Sequence, residues 1–435
     1  MARSLSPLRF APALLAMLAG GLGMAGAAQA QDSPIDLFSA QTLSVYGDLR
    51  AGIVDGEKSW LDGGFGKLVH GASGSGAEVH PQVGEAGIVW QPRLGWALSG
   101  TIVAAAQGGG ERPFEAGLSE AYLTYKPLGN SLGPVRLAAR AGLFWPPVSL
   151  EHSGPEWTVT DTITPSAIGS WIGEEVKVAG LELTAKAALG AHGLALTAGV
   201  FDANDTAGTL LSFRGWAMHD RKALAFRAMP LPPLNAFVQT VQPPFSHPVL
   251  NIEPRLFQRP GWYAKLAWSP PLPLRLEAFH YENGANPEAL NADYEWGWQT
   301  RFDTIGLIVD ASGGTQLRVQ GLSGQTRMGF PMPDLYWIDM RFRAAYAAVT
   351  QRMARTTLTA RVDLFDTRNH GSAVDQTDDE TGWAMTLAAR RTLGPHLSAV
   401  AEYLRVDSDK GARIRAITAP RQVQNQLQLA LRARW

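Results

Sequence analysis

The last eleven residues, NQLQLALRARW (425–435), constrain this chain more than any other stretch. Leu427, Leu429, Leu431, Ala433 and Trp435 fall on one face at period two. Gln428, Ala430, Arg432 and Arg434 fall on the other. Strict alternation reads as a β-strand with one apolar and one polar face. A terminal strand with an open edge would template aggregation in water. Pairing it with the first strand closes a barrel and removes that edge. An edge strand of a soluble β-domain is the other reading of the same residues.

The first 30 residues have the form of a secretory leader. Arg3 and Arg9 precede an apolar run from Ala11 to about Ala28, and Ala28-Gln29-Ala30 is a small-x-small cleavage site, so the mature chain is expected over 31–435. Gly21, Gly23 and Gly26 match a dinucleotide-binding spacing, but no strand precedes them and they fall in the removed segment. The absence of Cys excludes disulfides, thiolate chemistry and a lipoprotein anchor. Beyond the leader, 36 of the 38 basic residues face 39 acidic ones. That balance of about −3 gives no support to a nucleic-acid partner. No later apolar run approaches the roughly 18 residues of a transmembrane helix.

Alternating segments recur along the whole mature chain. Trp90-Gln91-Pro92, Tyr125-Lys126-Pro127 and Trp268-Ser269-Pro270 each place an aromatic two residues before a turn proline. Proline ends a strand because it cannot donate to the ladder, and the aromatic sits where a membrane interface would lie. Short turns alternate with long polar segments such as 107–116, 283–293, 367–380 and 408–419. Strands are expected at 43–53, 82–90, 95–106, 117–126, 135–144, 173–188, 193–201, 261–269, 274–282, 294–309, 315–323, 335–348, 356–366, 381–392, 396–406 and 421–435. The expected fold is all-β: a transmembrane antiparallel β-barrel of about 16 strands with short periplasmic turns and long extracellular loops. A hairpin hidden within 202–260 would make it 18.

Sixteen strands enclose a lumen too wide for wall side chains to fill. The charged faces are therefore expected to point inward. They carry Asp48, Arg50, Arg136, Arg140, Arg301, Asp303, Asp339, Arg341, Arg343, Arg361, Asp363 and Arg432. The apolar faces, Tyr336, Ile338, Met340 and Phe342 on one strand and Leu358, Ala360, Val362 and Leu364 on the next, are expected to point outward.

The segment 145–172 is too rich in Trp, Val and Ile for a mobile surface loop, and loops of that length are uncommon unless functional or disordered. It is expected to fold inward as a constriction. Glu151, Glu156 and Asp161 would then oppose wall arginines such as Arg136, Arg140, Arg341 and Arg343, giving a transverse field that selects solutes. A loop over the barrel mouth or at a subunit contact is the plainer alternative.

The terminal alternating strand ending on Trp435 resembles the carboxyl-terminal signal of Gram-negative outer-membrane barrels, which their assembly machinery reads. RAGLFWPPVSLEH (140–152), TPSAIGSWIGEE (164–175), FDANDTAGTLLSFRGWAMHDRK (201–222) and RPGWYAKLAW (259–268) resemble proteobacterial porin-like proteins related to the phosphate-selective porin family. The resemblance implies a 16-stranded, commonly trimeric porin in the outer membrane that lets small hydrophilic solutes or ions diffuse. Phosphate selectivity in that family depends on lumen lysines and arginines, and this chain has no lysine cluster.

Other chemistry finds little support. There is no HExxH, GxSxG or P-loop, no cofactor motif, and no i, i+4 pair among the nine histidines. No enzymatic activity is expected. Asp202, Asn204 and Asp205 lack the EF-hand glycine and terminal glutamate, so solvated turns are the better reading. The acidic tip Asp375, Asp378, Asp379 and Glu380 reads first as hydrated charge, with cation-bridged lipopolysaccharide as the functional alternative. A plugged barrel with a structural or surface-interaction role is the alternative to an open channel.

Overall fold

The computed structural model describes residues 35–72, 76–109, 112–127, 129, 132–203, 207–247, 259–332, 335–372 and 378–435. The leader, Asn204, Asp205 and Asp375 lie outside these residues. Sixteen strands form one closed antiparallel barrel in chain order. They are β1 (Leu43–Asp55), β2 (Glu78–Trp90), β3 (Leu98–Gly109), β4 (Arg112–Tyr125), β5 (Val135–Phe144), β6 (Val178–Leu189), β7 (His192–Ala203) and β8 (Gly261–Ser269). The second half comprises β9 (Leu274–Glu282), β10 (Gln299–Asp310), β11 (Thr315–Met328), β12 (Ile338–Met353), β13 (Thr356–Asn369), β14 (Glu380–Thr392), β15 (Leu397–Lys410) and β16 (Arg421–Arg434).

Closure is made by the terminal strand, as its alternation requires. β16 pairs with β1 from Tyr46 opposite Arg434 to Asp55 opposite Asn425. The Trp435 and Val45 main chains exchange two hydrogen bonds of 2.9 Å. Leu427, Leu429 and Leu431 project outward, 49%, 58% and 41% exposed. Leu49, Ile102, Leu196, Leu266, Val362 and Leu387 are also exposed on the outer wall. An apolar exterior over a closed ladder is the form a barrel takes in lipid. Trp90, Tyr125 and Trp268 all lie at strand ends on the short-turn side.

The strand count of sixteen holds, and 207–229 contains no barrel strand. It carries α1 (Ala207–Arg214) instead, while α2 (Val238–Val241) follows in the same excursion. One expected loop is corrected. Residues 107–109 and 112–116 are not a long polar loop but the extended ends of β3 and β4, with Gln107 opposite Glu115 and Gly109 opposite Arg112.

The interior is filled by chain returning from the long-loop side. Residues 161–178 and 207–219 are buried throughout. Trp171, Ile168, Trp216 and Leu211 pack with wall residues Tyr263, Phe279, Tyr281, Phe302, Phe342, Phe365 and Leu404 in one apolar cluster. A second cluster joins Trp60 and Leu61, from the segment after β1, to Phe213, Leu234, Trp296, Trp298 and Met340. Long loops thus pack onto one another at their own end of the barrel.

Candidate functional site: a divided lumen and its vestibule

The inner wall is apolar on β12, whereas β13 carries buried Arg361 and Asp363, β15 carries Glu402, and β1 and β2 carry Asp48, Arg50 and Glu85. This division overturns part of the expected inward face. In β12, Met340, Phe342, Ala344, Tyr346 and Ala348 are the buried inner residues. The Phe342 ring centroid lies 4.9 Å from that of Trp171. Alternation then sends Asp339, Arg341 and Arg343 to the outer face. The Arg343 side chain is 69% exposed and pairs with Asp366 at 3.1 Å. Arg301 is likewise exposed on β10 and donates to Gln325 at 3.1 Å. Asp339 pairs with Arg327 at 3.1 Å. The physical reason is that a filled lumen takes apolar side chains inward, leaving charges near the long-loop end of the outer wall. Asp303 shares that outer face, 2.8 Å from His280.

Residues 145–177 do fold inward, held by many wall side chains. Arg361 (β13) pairs with Glu151 at 3.2 Å and donates to the carbonyls of Thr164 at 3.0 Å and Pro165 at 2.8 Å. Glu402 (β15) accepts from the Ile163 amide at 2.6 Å and the Thr164 amide at 3.1 Å. Asp363 accepts from the Ala167 amide at 3.0 Å. Arg432 (β16) donates to Val159 O and Thr162 O at 3.0 and 2.9 Å. Asp161 pairs with Arg352 at 3.1 Å and Glu156 with Arg434 at 2.7 Å.

Each of the three expected loop carboxylates therefore meets a wall arginine, but the partners differ from those expected. Arg361 is the one expected residue among them. Arg140 turns inward elsewhere, pairing with Glu182 at 2.7 Å and donating to Trp145 O at 2.9 Å. Arg136 shares its inward face at the short-turn end and is exposed. The pairs are direct contacts, so they clamp the segment to the wall rather than face one another across a gap.

The 214–222 run, RGWAMHDRK, supplies the charges that the sequence motifs did not single out. Arg214 and His219 both bind Glu175, His219 at 2.9 Å. Arg50 reaches Asp220 at 3.0 Å and Asp48 at 2.8 Å. Lys222 pairs with Glu85 at 2.7 Å and donates to Glu156 O at 2.8 Å. Burial opposes the Asp220 carboxylate, and the charge and hydrogen bonds of Arg50 overcome it, holding the group down to about 2. His152 accepts or donates between Ser149 Oγ at 2.7 Å and Glu174 at 2.8 Å. Burial pushes the His152 imidazole down to about 4 and the Glu174 carboxyl well above its ordinary range. The available sequence signal was a pair of adjacent glutamates, Glu174-Glu175, inside an apolar stretch, which must find partners when buried.

A cavity of about 250 Å³ is lined by the short turn Gly394-Pro395-His396 and by Glu85, Glu174, Asp220 and Lys222 among others. Its lining carries five carboxylates (Asp48, Glu85, Glu156, Glu174 and Asp220) and five basic side chains (Arg50, Lys222, Arg390, Arg432 and Arg434). Among the described residues, no cluster of three or more His, Asp or Glu could hold a metal ion.

Taken together, the fold is a closed 16-stranded antiparallel barrel, matching porin structures. It is similar to the outer membrane channel DcaP of Acinetobacter baumannii, at 12% identity over 92% of this chain and 100% of that one, with a TM-score of 0.54. Alignments also extend to a loop L8 deletion mutant of OmpT from Vibrio cholerae, at 11% identity over 91% and 99% with a TM-score of 0.49. OmpF of Salmonella typhi, solved with daunomycin, aligns at 10% identity over 92% and 100% with a TM-score of 0.47. No protein-family model matches the chain, and no curated protein matches it in sequence.

Proposed function

We propose that the protein is an outer-membrane porin of a Gram-negative bacterium, placed with its short turns in the periplasm. It passes small hydrophilic solutes or ions by diffusion, without catalysis. The diffusion path runs through the vestibule and past the 145–172 segment as its constriction. The observation that carries this reading is the vestibule, a cavity of about 250 Å³ lined by charged side chains, within a barrel whose exterior is apolar. Four of the five basic groups of the vestibule, Arg50, Lys222, Arg432 and Arg434, are already paired with carboxylates, which argues against a phosphate-selective porin, whose selectivity needs excess positive charge. Assembly through recognition of Trp435, a homotrimeric state and contact with lipopolysaccharide belong to the same proposal.

A second reading has its own observation. The continuous burial of 161–178 and 207–219 favours a plugged barrel with a structural or surface-interaction role. Single-channel conductance in a planar bilayer separates the two. Discrete current steps support the porin. Stable insertion without conductance supports the plugged barrel and overturns the porin.

A further inference from the structure

The outer wall carries two cations that the protein leaves without a carboxylate. Arg301 of β10, Gln325 of β11, Arg341 of β12 and Arg368 of β13 stand side by side in one transverse row near the long-loop end. Arg301 and Arg341 are both exposed. Arg301 donates to the neutral Gln325 at 3.1 Å. Arg341 makes no hydrogen bond or ion pair with any described residue. The carboxylates nearest the row are already engaged. Asp339 meets Arg327 at 3.1 Å, Asp366 meets Arg343 at 3.1 Å, and Asp379 meets Arg368 at 3.5 Å. Asp303 is 2.8 Å from His280, and Glu282, opposite Arg301, pairs with Arg259. Arg341 also faces Arg368 directly across the ladder, where like charges repel. An anion on the row relieves that repulsion.

The wall beneath the row narrows the anion to one that carries a hydrocarbon chain. One outward position nearer the short turns stand Asp303, Ser323, Arg343 and Asp366, and one further stand Ile305, Gly321, Ala345 and Leu364. Ile305 and Leu364, 69% and 58% exposed, make two ridges. Gly321 and Ala345 make the floor between them, and a Cβ at Gly321 would meet nothing within 4 Å. The furrow, about 660 Å³, runs up to Arg343 and the exposed Ser323. Strand spacing sets the Arg301 and Arg341 main chains roughly 10 Å apart, so their long side chains can converge on one phosphate, which guanidinium groups bind through paired N–H donors. Apolar furrow, hydroxyl and guanidinium groups follow one another up the wall in the order of acyl chain, polar linkage and phosphate in a lipid.

We propose that this face of β10–β13 binds a phosphorylated glycolipid, the lipid part of lipopolysaccharide, with a phosphate on Arg301 and Arg341 and an acyl chain in the furrow over Gly321 and Ala345. The arginines hold the phosphate directly, without a bridging metal ion. The site gives the lipopolysaccharide contact of the porin reading a place on the wall. It rests on that reading for the leaflet it faces, with the long loops outside the cell, though not for binding.

The test is native mass spectrometry of the purified protein, refolded in lipid-free detergent and titrated with lipid A in the presence of EDTA. The proposal expects lipid A to bind at least tenfold more tightly than dephosphorylated lipid A. The double variant Arg301→Gln, Arg341→Gln should weaken lipid A binding about tenfold, and so should Gly321→Leu, which fills the furrow. Arg391→Gln, at an exposed position near the short-turn end of β14, removes the same charge elsewhere and should leave binding unchanged. Heat-modifiable gel mobility confirms that each variant folds. Equal binding of the dephosphorylated lipid overturns the proposal, as does an equal loss in Arg391→Gln. Unchanged binding by the double variant or by Gly321→Leu overturns it too. Loss of binding in EDTA assigns the contact to metal bridges, and displacement by millimolar inorganic phosphate reduces the row to a phosphate site; either result sinks the lipid site. A lipid-free oligomer that Gly321→Leu dissociates makes the furrow a contact between copies of the chain and also sinks it. Conductance is measured on the same preparation. Current without a preference for the phosphorylated lipid keeps the porin and sinks the site. Phosphate-dependent lipid A binding without current keeps the site and sinks the porin.

Discussion

Arg361 and Glu151 are 210 residues apart in the chain and 3.2 Å apart in the barrel. Both are nearly fully buried. The same guanidinium binds Asp363 at 2.9 Å and the adjacent carbonyls of Thr164 and Pro165, so one wall side chain ties Glu151 and the 164–165 backbone together. Arg361→Ala leaves Glu151 and Asp363 without their cation. Breaking a buried pair from one side costs about 3–5 kcal/mol. The expected result is a lower thermal midpoint and new protease cleavage within 145–177 while the strands stay protected. Unchanged proteolysis would show that the remaining contacts, Glu402 foremost, hold the segment without Arg361.

The outward orientation of Arg341 and Arg343 has a direct electrical consequence. Charges outside the barrel, separated from the vestibule by the wall and by a lumen packed with Trp171 and Phe342, contribute little to the field along an aqueous path. The double substitution Arg341→Gln, Arg343→Gln should leave the reversal potential under a salt gradient unchanged. Arg432→Gln, which removes a cation from the vestibule, should shift it toward cation preference. A shift of equal size from the outer pair would place those arginines beside the ion path and contradict the register of β12.

These two cases also mark what the sequence could show. The outer wall was readable because lipid imposes one rule on every strand, apolar residues outward at period two. Residues 135–144, 261–269 and 274–282 were delimited to the residue for that reason. The inner wall follows no such rule. Where the lumen is wet, Asp48, Arg50 and Arg432 face in. Where it is packed, Phe342 and Tyr346 face in, and the alternation of β12 reads equally well in either direction. The inward segment was legible from its length and apolarity, and its three carboxylates from their setting. Their partners were not, because pairs such as Glu156–Arg434 depend on how a loop crosses the barrel rather than on local spacing. Asp220 and Lys222 carried no motif, and they are lumen charges only through the return of 207–225 into the interior.

Trp435 closes the ladder against Val45 through two main-chain hydrogen bonds of 2.9 Å, and its ring stacks on His396 at a centroid distance of 6.3 Å. Deleting Trp435 removes both bonds and the ring, whereas Trp435→Phe keeps the bonds and an aromatic. If this residue directs assembly, the deletion should reduce the heat-modifiable folded fraction in vesicles severalfold while the Phe variant stays near wild type. Equal yields for all three proteins would assign closure to the other pairs of β16 and remove Trp435 from the assembly step.

His247 lies in the excursion between β7 and β8, its ring Nδ1 2.9 Å from Glu295 and its amide donating to the same carboxylate at 2.8 Å. The hydrogen bond that the ring donates to Glu295 raises the imidazole above its ordinary value against the opposing effect of burial, and the charges of Glu295 and Asp293 add to the rise. The folded value is therefore higher than the unfolded one, about 6.5. For a base shifted in that direction, the stabilisation is fully present below the unfolded value and is lost as pH rises through the folded value. The side chain is 28% exposed, so solvent screening limits the effect to about 1 kcal/mol or less. Amide exchange at His247 should quicken as pH rises through that range by more than the intrinsic base-catalysed rate, and Glu295→Gln should return the ring's titration to the ordinary imidazole range. A wild-type ring that titrates at or below the ordinary value, measured by NMR, would mean that burial outweighs Glu295 and that this contact does not hold the segment to 291–296.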